Sequence, residues 1–213
     1  MFKTMSYTVE KEWAYKDFCL VVIANRDIGC RCGYLGVPKV HFLFGKGYGE
    51  HCPQLELLVS RGGPAGNRGI LSLVTWNGKE ASPEIAFNVH GSLTYSGSSG
   101  YPIDRPNTWW FGFDCAHAGD AKDLSLIDDE RVKEIYSRFG PDDGEIRTVE
   151  YCIKELESLA DQIEIAKDQI PIWQVSSFTR DWEELSLRAF SRKYKVSHKD
   201  FDKSLDRWIG KQK

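Results

Sequence analysis

Two short stretches carry the side chains best suited to chemistry: His90-Gly91-Ser92-Leu93-Thr94-Tyr95-Ser96-Gly97 and Trp109-Trp110-Phe111-Gly112-Phe113-Asp114-Cys115-Ala116-His117-Ala118-Gly119-Asp120. Three chemistries are compatible with them. Ligands such as His117 and Asp120, leaving a coordination position open, can hold a divalent metal and activate water. Alternatively, His90, His117 and Asp114 can serve as general acid and base in metal-free hydrolysis of a phosphoester or glycosidic bond, with Ser92 and Thr94 orienting the ligand. Cys115 with His117 can form a thiolate pair, but two residues apart they need a sharp turn to meet, so this chemistry ranks last. Tyr95, Trp109 and Trp110 supply rings that stack on a base or sugar. The same residues also admit a structural account, in which loop carboxylates cap nearby N–H groups and aromatic residues fill a core.

These side chains meet only if the elements carrying them are neighbours. Glu84 to Tyr95 reads as a strand, and strand alternation then puts His90, Ser92 and Thr94 on one side, with Val89, Gly91, Leu93 and Tyr95 on the other. Thr108 to Cys115 reads as a second strand, in which Trp110, Gly112 and Asp114 alternate with Phe111, Phe113 and Cys115. Ala116, Ala118 and Gly119 let the chain turn closely and bring His117 and Asp120 round. Adjacent strands would gather His90, Asp114, His117 and Asp120 in one pocket.

The remaining strand signals lie upstream. Phe18 to Ala24, the turn Asn25-Arg26-Asp27-Ile28-Gly29, and Cys30 to Val37 form a hairpin pattern. Leu55 to Ser60 and Ile70 to Trp76 read as two more strands, joined by a glycine-rich loop from Arg61 to Gly69 that lacks the phosphate-loop pattern. Pro38 to Pro53 is too long for a tight turn and suits a lid, with His41 available to a ligand.

Helices follow. Asp128 to Phe139 predicts a short helix stopped by Gly140-Pro141, and Thr148 is a natural N-cap for a longer one. In that helix Val149, Cys152, Ile153, Leu156, Leu159, Ala160 and Ile163 recur every three or four residues, which points to a face packed on the sheet and to Cys152 as a core residue. The predicted fold is therefore α+β: an antiparallel or mixed sheet of about five to six strands backed by a long helix. Residues 1–170 form this core and 171–213 a helical appendage, including Asp181 to Tyr194 and a second helix opened by Ser197. Phe201, Leu205, Trp208 and Ile209 share a face there, fit for docking on the core, on a second copy or on another protein.

Composition limits the function classes. The chain has 213 residues, 41% hydrophobic and 28% charged, an ordinary globular balance suited to one main domain. A net charge of -3 argues against a dedicated nucleic-acid binder, although ten Lys/Arg against six Asp/Glu give the segment from Arg180 to Lys213 a charge of +4. The opening residues lack the apolar centre of a secretion signal and no run suits a bilayer, so a cytoplasmic location is expected, with reduced thiols at Cys19, Cys30, Cys32, Cys52, Cys115 and Cys152. Cys30-Arg31-Cys32 is too tightly spaced for a zinc knuckle and no second pair accompanies it.

The run Cys32-Gly33-Tyr34-Leu35-Gly36-Val37-Pro38, then His41 and Gly45-Lys46, then the two motifs above, resembles a family of phage- and prophage-borne proteins. The resemblance spans roughly residues 15 to 165. Val40 and Phe42 depart from its pattern, where a glycine before the histidine and a proline after it are expected. It implies an accessory protein of a mobile element and no named activity; by analogy of context, small phage proteins with a polar pocket counter host defence by destroying or sequestering a nucleotide signal. A small nucleotide-like or phosphorylated ligand is accordingly expected in the pocket, either hydrolysed or held, while the basic tail offers a separate route to an inhibitor that works by protein contact.

Overall fold

The computed structural model describes residues 6–60, 81–98, 101–138 and 144–169. The strand expected at Ile70 to Trp76, the loop before it and the helices expected after Pro171 lie outside the described residues.

Five strands form one antiparallel sheet. They are β1 (Tyr7–Tyr15), β2 (Phe18–Asn25), β3 (Cys30–Pro38), β4 (Tyr95–Gly97) and β5 (Thr108–Asp114), ordered β1-β2-β3-β5-β4. The β2–β3 hairpin turns on Gly29, whose φ of +69° suits glycine and whose N–H donates to the Asn25 carbonyl at 3.0 Å. Cys32 of β3 pairs with Asp114 of β5, and Tyr95 of β4 pairs with Gly112. The sheet thus joins segments far apart in sequence.

Helix α4 (Val149–Gln169) packs against this sheet. Thr148 caps it, its Oγ1 accepting from the Tyr151 N–H at 3.2 Å. Cys152, Leu156, Leu159, Ala160 and Ile163 are all buried, as the three- and four-residue spacing requires. Gly33 permits the close approach: a Cβ there would fall 2.5 Å from the Phe113 ring and 3.2 Å from Leu156. The opposite face of the sheet carries a second cluster of Cys19, Val21, Ile23, Cys30, Cys32, Tyr34 and Trp110, against which Tyr95 and Tyr101 pack.

Three local expectations change. Leu55 to Ser60 is helical, not a strand: a single 3-10 turn (Pro53–Leu55) leads into α1 (Glu56–Ser60), because Pro53 presets a helical φ at the first turn. Most of Glu84 to Tyr95 is also not a strand. Pro83 opens the short helix α2 (Pro83–Ala86), and a turn closed by the Ser92 N–H on the Val89 carbonyl at 3.0 Å follows, so strand pairing begins only at Tyr95. Finally, β1 went unrecognised in the sequence because its mostly exposed side chains include several charges and a register shift between Val9 and Lys11 breaks the alternation.

Two small elements complete the region beside the motifs. Two-residue strands β6 (Asp120–Ala121) and β7 (Glu145–Ile146) pair in parallel, and a 3-10 turn (Leu124–Leu126) leads towards α3 (Glu130–Arg138). Arg31 secures this corner. Its buried guanidinium bonds Glu10 at 2.8 and 3.1 Å, Asp123 at 3.1 Å and the Arg147 carbonyl at 3.1 Å. No helix of the described residues is long and apolar enough to cross a membrane.

Candidate functional site

The turn at Val89–Ser92, not strand alternation, brings the two motifs together. Gly91 takes φ +65° and Ser92 φ +92°, so the chain reverses direction there, and the His117 ring packs against Gly91. The rings of His90 and His117 consequently lie 5.7 Å apart.

His90 is the centre of a partly buried hydrogen-bond network. Its Nε2 meets Asp120 Oδ2 at 2.8 Å and its Nδ1 meets the Tyr151 hydroxyl at 2.9 Å. Arg147 Nε donates to Asp120 Oδ1 at 2.7 Å, and the His117 N–H donates to Oδ2 at 3.0 Å. Burial pushes the Asp120 carboxyl up, but the bonds from Arg147, His90 and the His117 N–H outweigh it and hold the group below its ordinary range. An ionised carboxylate only accepts, so His90 Nε2 is the donor to Asp120. Burial and the Glu155 charge push the Tyr151 phenol up, which keeps it a hydroxyl donor. Glu155 also accepts the His90 backbone N–H at 2.8 Å. Both ring nitrogens of His90 are thus engaged by protein groups.

Asp114 and His117 are more open. Their side chains are 35% and 33% exposed, but His117 Nε2 is itself buried against Gly91, 3.7 Å from Asp114 Oδ1 and without a hydrogen-bond partner. Thr94 Oγ1 donates to Asp114 Oδ2 at 2.9 Å, and the Ala116 N–H donates to Oδ1 at 3.2 Å. Two adjoining cavities meet beside this pair. A larger one, about 640 Å³, is lined by Tyr34, Thr94, Tyr95, Tyr101 and Asp114 among others. A smaller one, about 430 Å³, is lined by the segment Cys115 to Lys122 and includes His117, and the two share Ile28, Cys30 and Ala116.

Several expected site residues take other positions. Trp110 is fully buried in the second core cluster, against Gly36, where no ligand reaches its face. His41 packs its ring on Phe18 and Phe42 and accepts the Leu43 N–H at 3.2 Å, outside both cavities. Ser92 also lines neither. Asp120 has both oxygens committed to protein donors, while His117 turns towards Asp114 instead, so the residues first matched to a divalent metal do not form a ligand pair. Among the described residues no group of three or more His, Cys, Asp or Glu side chains gathers for a metal ion.

Arg147, Tyr151 and Glu155 are not evident from sequence: Arg147 precedes the Thr148 cap, and Tyr151 and Glu155 lie in a helix whose pattern is dominated by its apolar stripe. The spacing of Tyr151 and Glu155, one turn apart beside buried Cys152 and Leu156, was the available signal. Tyr34 and Cys30 were legible from period two along β3. Tyr101 had no such signal, since it lies in an irregular segment.

No protein-family model matches the chain, and neither a curated protein nor a solved structure matches it. The class that fold and site define is an α+β protein with a five-stranded antiparallel sheet, a helix on one face and an aromatic, acid-lined cleft on the other.

Proposed function

We propose that this chain is a phage-type accessory protein, of counter-defence kind, that hydrolyses a small nucleotide-like or phosphorylated ligand in the double cleft. The observation that carries the reading is the meeting of two unlike cavities beside His117 and Asp114. The larger is walled by tyrosine rings, which suits a base or sugar. The smaller includes Lys122, the one cationic side chain among the described residues lining it, which suits the anionic end of the ligand. Such a ligand would bring its scissile bond to His117. There His117 takes a proton from the attacking water, Asp114 stabilises the imidazolium, and His117 passes that same proton to the leaving group as it departs. His90, held by Asp120 and Tyr151, keeps the Gly91 turn in place beneath His117.

One observation favours capture without turnover as the second reading: the His117–Asp114 contact, at 3.7 Å, is longer than a hydrogen bond. Incubation with a nucleotide panel, read by mass spectrometry, separates the two. Hydrolysis yields products, and His117→Ala slows it by about 100-fold or more while the fold survives. Intact ligand released on denaturation supports capture instead. If no nucleotide or phosphorylated compound binds, and His117→Ala changes nothing but stability, both readings fail.

A further inference from the structure

From the hydrogen-bonding sense of its wall, we infer that the larger cavity is a subsite for the amino-bearing edge of a heteroaromatic base, an inference that rests on the nucleotide-like reading above. Asp114 is the one charged acceptor among the described residues lining it, and three of the neighbouring hydroxyl protons are already spent. Thr94 spends its hydroxyl proton on Asp114, Tyr34 donates its own to the Tyr101 hydroxyl at 2.9 Å, and Tyr95 directs its own to the Tyr101 carbonyl at 3.4 Å. A carboxylate offers about four lone-pair positions. Asp114 uses two, on Thr94 and on the Ala116 N–H, turns Oδ1 towards His117 at 3.7 Å, and keeps the remaining capacity for a ligand.

Charge narrows the occupant further. Among the described residues lining this cavity there is no lysine or arginine, so Asp114 sets its sign and a phosphate is repelled from it. The rings of Tyr34, Tyr95 and Tyr101 stand edge to face at 5.2 to 5.7 Å, giving a rigid aromatic wall. A flat ring with an exocyclic amine meets all three conditions: apolar faces for the tyrosines, N–H donors for Asp114, and no negative charge. A base with a carbonyl at the same position would turn an acceptor towards an acceptor and leave Asp114 short of a partner.

Titration calorimetry with adenosine, purine riboside and inosine tests this: at the same ring carbon they carry an amine, a hydrogen and a carbonyl, the last with a proton on the adjacent ring nitrogen, so adenosine against purine riboside isolates the amine. The wild-type protein is expected to bind adenosine about tenfold or more tighter than either of the others, as a hydrogen bond to a charged acceptor implies. Asp114→Asn, whose amide can donate, should shift the preference towards inosine, an inversion that mere loss of packing would not produce. Equal affinities of the wild-type protein for all three, or a preference for inosine, overturn the inference while leaving the nucleotide reading intact. That comparison needs no variant, so it stands even if Asp114→Asn fails to fold. Should no nucleoside bind while benzylammonium does, and Asp114→Asn abolish that binding, the acceptor at Asp114 is upheld and its assignment to a base falls. If none of the four probes binds, the inference falls, and the nucleotide panel decides the nucleotide reading separately.

Discussion

The His117 ring lies so close to Gly91 that a Cβ on Gly91 would come within 2.0 Å of its Cδ2 and Nε2 atoms. Gly91 also sits at φ +65°, where a side chain is strained whatever the space. Two independent requirements for glycine therefore coincide beneath the candidate acid–base group. Gly91→Ala should cost about 2 to 4 kcal/mol, combining overpacking with left-handed backbone strain, and should displace His117. Urea denaturation measures the first effect and ligand turnover or binding the second. Unchanged stability would mean that this contact does not exist in solution.

The two histidines should separate in their phenotypes. His90→Ala strips Tyr151 and Asp120 of a shared partner inside a partly buried network, so a loss of about 2 to 4 kcal/mol is expected. His117→Ala removes a ring that is one-third exposed and whose buried Nε2 has no hydrogen-bond partner to lose, so stability should change by less than about 1 kcal/mol while activity falls. Paired thermal melts and assays of the two variants check this ordering.

Arg147 should matter because it neutralises Asp120, whose side chain is only 2% exposed. Arg147→Met leaves that carboxylate with an uncompensated charge and should cost about 2 to 4 kcal/mol, less than for a fully buried pair because Arg147 itself is 19% exposed.

The same carboxylate predicts a pH dependence. The folded-state value lies below the unfolded one, so its stabilisation is complete above the ordinary aspartate value of about 3.9 and is lost as pH falls through the lowered value. Asp123 is lowered as well: burial raises it, while bonds from Ser125 and Arg31 outweigh the burial, and it acts in the same direction. Asp120→Asn should therefore flatten the acid limb of a stability-versus-pH curve. An unaltered limb would remove Asp120 from the account.

The six buried thiols should react unequally. Cys115 and Cys152 approach at 3.8 Å between β5 and α4, and this contact together with burial pushes the Cys115 thiol far up. Cys30 differs, because a hydrogen bond from Cys32 lowers it against the opposing effect of burial, and it lines both cavities. Iodoacetamide mapping of the native protein should mark Cys30 first and Cys152 only on unfolding. Early labelling of Cys152 would contradict the packing of α4.

The sequence by itself determined the elements whose signals are local. Asn25 to Gly29 marked the hairpin, the alternation of Thr108 to Asp114 put Asp114 on the face opposite Phe111 and Phe113, and the Thr148 helix followed from its cap and its periodic stripe. It also marked His90, Asp114, His117 and Asp120 as a group, and the fold does bring them together. Only the tertiary structure decided their division of labour. His90 and Asp120 are locked by Arg147 and Tyr151, while Asp114 and His117 face the cleft, because a turn with positive φ at Gly91 and Ser92 replaced the expected strand. Period-two reasoning cannot foresee that reversal. Nor can it foresee partners from a helix more than 50 residues downstream, since Tyr151 meets His90 across 61 positions of sequence. Which polar groups spend their hydrogen bonds on one another, and which keep them for a ligand, is fixed by contacts that local sequence does not encode.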